Sequence, residues 1–129
     1  MVLHPRGKQV LIAEDDQATR QLIRIVLANE GYLVREAANS IEACDSCLID
    51  PPDLAILDVR MPQRDAWDVM RILKERGMLG GFPIIVLSAS LNVREEAEAF
   101  DDGVCVIISK PFDIAELLDA VARCLDEAA

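Results

Sequence analysis

Short apolar runs of strand length alternate along the chain with segments whose apolar residues recur every three or four positions. Such alternation signals repeated βα units, with a parallel sheet covered by helices on both faces. The first run is Val10 to Ala13, followed by a helix with an apolar stripe at Leu22, Ile25 and Val26 and a stop at Asn29-Glu30-Gly31. A second strand is predicted at Tyr32 to Arg35. Asn39 and Glu42 then have capping-box spacing and open a helix reaching about Ile49, where Pro51-Pro52 forbids continuation. The third strand is Leu54 to Leu57, ending at Asp58, and the third helix runs from about Asp65 to Arg76, with Val69, Met70, Ile72 and Leu73 apolar. Gly77 and Gly80-Gly81 free the chain to turn into a fourth strand, Ile84 to Leu87. Asn92 and Glu95 cap a short fourth helix, and Asp101-Asp102-Gly103 leads to a fifth strand, Val104 to Ile108. Asp113 and Glu116 open the last helix, whose residues Ile114, Leu117, Leu118, Val121 and Leu125 form a core-facing stripe. The pattern predicts an α/β fold: a single domain, 1–129 with its core at about 8–127, built as a (βα)5 doubly wound parallel five-stranded sheet.

Composition narrows the function classes. At 129 residues and 52% hydrophobic, the chain can bury one full core without disulfides or metal. With 23 acidic against 13 basic residues the net charge is -10, and no cluster of Lys and Arg offsets it, which argues against direct nucleic-acid binding and against anionic membrane surfaces. The longest apolar runs are far too short to span a bilayer, and the N-terminus lacks a signal peptide's apolar segment, so a cytoplasmic location is expected. Cys44 and Cys47 have C-x-x-C spacing, but zinc would need further ligands. Cys105 and Cys124 are isolated, and the one histidine, His4, lies near the N-terminus. The cysteines are therefore expected to act as small apolar residues.

The acidic residues are more informative. The first strand runs into Glu14-Asp15-Asp16 and the third ends at Asp58, while Ser88 and Lys110 stand at or just beyond the ends of the fourth and fifth apolar runs. Open α/β sheets bind ligands at this carboxyl edge, at the topological switch point. If the strands take the flavodoxin-like order 2-1-3-4-5, carboxylates from two neighbouring strands share one pocket. Crowded carboxylates need a positive neighbour, and an all-oxygen donor set favours Mg²⁺ over zinc. Asp can also accept phosphoryl groups covalently, with a metal, Lys and hydroxyl stabilising the transferring oxygens. Acidic residues after strands also cap helices, and Asp15 or Asp16 could do so here.

Through Leu11-Ile12-Ala13-Glu14-Asp15-Asp16, Leu57-Asp58-Val59-Arg60-Met61-Pro62, Leu87-Ser88-Ala89 and Ser109-Lys110-Pro111-Phe112, the chain resembles the receiver domains of two-component response regulators over nearly its whole length. That resemblance implies a switch taking a phosphoryl group from a sensor histidine kinase or histidine phosphotransfer protein onto Asp58. Glu14, Asp15, Asp58 and the backbone carbonyl of Arg60 would hold Mg²⁺, with Asp16 just outside the set. Ser88 and Lys110 would contact phosphoryl oxygens, and the Lys110-Pro111 peptide would be cis. Such a protein is not an enzyme beyond Mg-dependent self-phosphorylation and autodephosphorylation. Its partners would include an output protein or fused output domain, and it would be a monomer or an activation-dependent homodimer. No DNA-binding helix-turn-helix follows the last helix, so a stand-alone receiver and one cut from a longer regulator are both open.

Four positions stand out against the usual pattern. Ile107 stands where most receivers carry Tyr or Phe, Ala66 follows Asp65 where glycine is common, and Arg60 and Ser90 occupy positions that modulate phosphoryl lifetime. Rival readings fit less well. A haloacid-dehalogenase phosphatase needs a second Asp where Arg60 stands, and an FMN carrier needs a Ser/Thr/Gly-rich loop where three carboxylates follow the first strand. A phosphorylation-independent binding module on the same fold is the remaining alternative.

Overall fold

Strands covered on both faces must be apolar throughout, and every residue of β3 (Leu54–Asp58) and β4 (Ile84–Ser88) is buried. With β1 (Gln9–Ala13), β2 (Leu33–Ala37) and β5 (Val104–Ser109) they form one parallel sheet in the order β2-β1-β3-β4-β5. The computed structural model describes residues 7–61, 65–89 and 103–128. Four helices lie among them: α1 (Gln17–Asn29), α2 (Ser40–Ile49), α3 (Ala66–Glu75) and α4 (Ile114–Ala128). The helix expected from Asn92 and Glu95 and the turn at Asp101 and Asp102 fall outside the described residues, as do His4, Pro62 and Ser90.

Side chains alternate across a strand, so the sheet feeds two cores. Leu11, Ala55, Leu57, Ile84 and Val86 pack with α2 and α3 through Ala43, Cys47, Trp67, Met70 and Leu73. Val10, Ile12, Ile56, Ile85 and Leu87 pack on the other face with Ile23 and Leu27 of α1 and with Leu117, Val121 and Leu125 of α4. Fully burying a Leu or Ile stabilises by about 2 kcal/mol relative to exposure, so these layers dominate the fold's stability.

Local chemistry fixes the helix ends. Asp16 caps α1 by accepting the Thr19 N–H at 3.0 Å, and Asn39 caps α2 by accepting the Glu42 N–H at 2.9 Å. Asp65 and Asp68 form a reciprocal capping box at α3. Beyond α1 the chain turns at Gly31 with φ 96°, a left-handed conformation that favours glycine. Gly103, just before β5, lies so close to the Leu79 side chain that a Cβ there would force it to shift, and would crowd Met70 as well.

Three expectations need correction. The strand expected at Tyr32 to Arg35 begins one residue later and continues to Ala37, because β2 follows β1 residue for residue from Gln9 opposite Leu33 to Ala13 opposite Ala37. The buried face of α1 is Ile23 and Leu27, one turn apart, whereas Leu22 and Ile25 of the expected stripe are about half exposed. Cys105 and Cys124, expected to act as unbonded small apolar residues, are joined in a disulfide. The β4–β5 register shifts between Ile84 and Ile85, so Cys105 and Val106 both turn toward the α1/α4 face, where Cys124 is buried. Cys44 and Cys47 are buried and outside any disulfide, as small apolar residues should be, and burial pushes the Cys47 thiol up to about 12.

Candidate functional site

β1 and β3 are direct neighbours, with Ala13 opposite Leu57, so Glu14 and Asp58 leave the sheet side by side. Ser88 ends β4, where the Lys110 N–H donates to its carbonyl at 2.9 Å. This bond carries the β4–β5 pairing one residue past the strand and brings Lys110 over the same edge. The Lys110-Pro111 peptide is cis. Glu14, Asp15, Asp58, Ser88 and Lys110 therefore line one cleft of about 210 Å³, together with Arg60.

The ammonium of Lys110 bridges two carboxylates, donating to Glu14 Oε1 at 2.8 Å and to Asp58 Oδ2 at 2.6 Å. Glu14 and Asp58 are almost wholly buried, and Asp15 is exposed. One carboxylate oxygen from each of the three lies within 4.8 Å of the others. A single ammonium cannot balance three carboxylates. Burial first, and then the neighbouring Asp58 carboxylate, raise Glu14 to about 7 against the opposing pull of Lys110. Burial works against the charge of Lys110 as well, but its bonds to Asp58 and Glu14 outweigh that and hold it above its ordinary value. This crowded set of hard oxygen donors, short of positive charge, fits a divalent cation of the Mg²⁺ type.

The remaining expected residues take distinct places. The Arg60 N–H donates to Asp58 Oδ1 at 3.1 Å, which holds that carboxylate against the chain leaving β3. Asp16 is spent on capping α1: its carboxyl is held below the usual range first by the Thr19 hydroxyl and then by the Thr19 N–H. Ser88 is buried at the end of β4, and Ile107 packs against the α2/α3 core.

Two features escape a sequence reading. Arg20, one turn into α1, donates from Nη1 to the Glu14 carbonyl at 2.7 Å and from Nε to Glu36 Oε1 at 3.1 Å. The only sequence signal for it is position, since helical side chains lean toward the N-terminus and hence toward this loop. Beside the acidic cleft, and sharing Lys110 and Ala89 with it, lies a mainly apolar groove of about 530 Å³ lined by Thr19, Leu22, Phe112 and Ile114.

Comparisons with known proteins agree with this geometry. A family model described as "Response regulator receiver domain" matches residues 10–122. Response regulator MprA of Mycobacterium tuberculosis is 39% identical over 110 residues, covering 85% of this chain and 47% of that protein. The chain thus spans about half the length of the curated relatives it matches. The receiver domain of Francisella response regulator 1452 superimposes with a TM-score of 0.85 at 26% identity, covering 95% of this chain and 100% of that one. A CheY-like receiver domain protein from Methanospirillum hungatei gives 0.83 at 26% identity, covering 95% and 96%.

Proposed function

Because the chain belongs to the response regulator receiver family, we propose that it is a phosphorylation-dependent signalling switch, accepting a phosphoryl group on Asp58 from a sensor histidine kinase or histidine phosphotransfer protein. The observation that carries this reading is the Lys110 ammonium held between Glu14 and Asp58 at the edge where Ser88 also ends its strand.

In the transfer, an Asp58 carboxylate oxygen attacks phosphorus as the bond to the donor's imidazole nitrogen breaks, and the imidazole leaves with the electron pair. Lys110 passes from the Asp58 carboxylate to a phosphoryl oxygen, and the Ser88 hydroxyl donates to another. Glu14, Asp15, Asp58 and the backbone carbonyl of Arg60 would hold Mg²⁺, which when bound would supply positive charge to offset the phosphoryl oxygens. The chain modifies itself and later loses the group to water. It is not an enzyme acting on a separate substrate.

The phosphodonor docks in the apolar groove at Leu22, Phe112 and Ile114, which is continuous with the acidic cleft through Lys110 and Ala89. Reaching a cytoplasmic kinase domain requires a cytoplasmic protein, and no helix among the described residues is long and apolar enough to cross a membrane. The switch acts as a monomer or an activation-dependent homodimer on an output protein or fused output domain. Its net charge of -10 disfavours direct contact between this domain and nucleic acid.

Intact-mass measurement after incubation with acetyl phosphate tests the assignment. The wild type should gain one phosphoryl group in Mg²⁺ and none in EDTA, and Asp58→Asn should gain none. An Asn variant modified at the wild-type rate removes Asp58 as the acceptor, and a wild type that gains no phosphoryl group in Mg²⁺ favours the phosphorylation-independent module.

A further inference from the structure

We propose that Arg20 is a positioning residue for the metal pocket, fixing the peptide between Glu14 and Asp15 so that the exposed Asp15 carboxylate stays beside Asp58. The inference rests on the metal assignment above.

The Glu14 carbonyl belongs to the peptide that joins Glu14 to Asp15, so rotating that peptide swings Asp15. Arg20 Nη1 holds this oxygen at 2.7 Å. On the other side of the same residue, the Glu14 N–H donates to the Ala37 carbonyl at 3.1 Å. The guanidinium is itself anchored on the end of β2, with Nε 3.1 Å from Glu36 Oε1, while Arg24 Nε approaches Glu36 Oε2 at 3.3 Å. The Arg20 side chain is 15% exposed, against 45% for Arg24, as befits a structural clamp rather than a solvated surface charge. Among metal-pocket residues Asp15 most needs such a clamp, because it follows β1 in a loop and is exposed, whereas Glu14 and Asp58 are walled in.

Charge and position predict opposite signs. A cation beside the pocket repels Mg²⁺, so if Arg20 acted only as a charge, its removal would tighten metal binding. If it positions Asp15, its removal loosens binding. Residues that orient metal ligands typically contribute about 10–100-fold in affinity.

Calorimetric titration of the purified chain with MgCl₂ alone decides between them, with melting temperature in metal-free buffer recorded beside it. Arg20→Ala should raise the Mg²⁺ dissociation constant about tenfold. Arg20→Lys, which keeps charge and one donor but not the fork, should fall between the two. Arg20→Met, which keeps the aliphatic stem but neither the charge nor the fork, should weaken Mg²⁺ in the same direction and serves if Arg20→Ala does not fold. Acetyl phosphate labelling of the Arg20 variants should be slow at low Mg²⁺ and recover at saturating Mg²⁺. An unchanged or tighter Mg²⁺ constant in the Arg20→Ala and Arg20→Met variants, alongside weakened binding in Asp15→Asn, overturns the positioning role and leaves the metal assignment standing. Undiminished binding in Asp15→Asn overturns both.

Discussion

In metal-free solution the buried Glu14 carboxyl holds its proton up to about pH 7, whereas in the unfolded chain it ionises near its ordinary value of 4.5. Between those values the native state binds the extra proton, so stability must fall as pH rises through this window. Lys110 does not oppose the trend, because its raised value keeps it charged throughout. Calorimetry in EDTA should therefore show the melting temperature dropping from pH 5 to pH 8, with Glu14→Gln flattening the profile. Mg²⁺ needs the ionised carboxylate and should protect more at pH 8 than at pH 6. A profile in EDTA that Glu14→Gln leaves unaltered would mean that Glu14 does not hold the proton. At this scale much of the site was legible, because Glu14, Asp15, Asp58, Ser88 and Lys110 each stand at or within two residues of the end of an apolar run. Arg20 was not, because it grips a backbone carbonyl that any residue could offer.

Elements were legible where periodicity was strong and ambiguous where packing chose among equivalent faces. α1 carries apolar residues on more than one side, and only its seat on the sheet selects Ile23 and Leu27 over Leu22 and Ile25. The Cys105–Cys124 link was hidden for a related reason, since strict alternation does not reveal a register shift. With its ends 19 positions apart in sequence, the bridge should contribute about 3 kcal/mol by constraining the unfolded chain, so reduction or Cys124→Ser should lower the denaturation midpoint accordingly. Equal midpoints with and without reductant would contradict that contribution. Ile107 supplies the other element-scale prediction. Its β-branched side chain has few rotamers and packs against the α2/α3 core, so it should keep one rotamer on activation, leaving the change to the chain beyond Ser88. Methyl NMR of the free and beryllofluoride-bound forms checks this. A rotamer change coupled to repacking of α4 would show an aliphatic residue doing what an aromatic does in most receivers.

The molecule as a whole joins an all-parallel sheet, buried on both faces, to one chemically dense edge. The strand order β2-β1-β3-β4-β5 makes β1 and β3 neighbours and so gathers separate carboxylates into one cluster that could hold a metal ion. The repeated βα pattern predicted a parallel sheet and the flavodoxin-like arrangement supplied this order, but neither could show which cation balances which carboxylate, because the Lys110 bridge closes over sequence separations of 96 and 52 residues. The central claim is that this edge directs a phosphoryl group to one aspartate among many carboxylates. Borohydride reduces an acyl phosphate to the alcohol, so treating the acetyl-phosphate-labelled chain with borohydride and sequencing its peptides by mass spectrometry locates the acceptor directly. The account predicts homoserine at position 58 alone, formed only when Mg²⁺ was present during labelling. Homoserine at another acidic position, or equal conversion in EDTA, would contradict it.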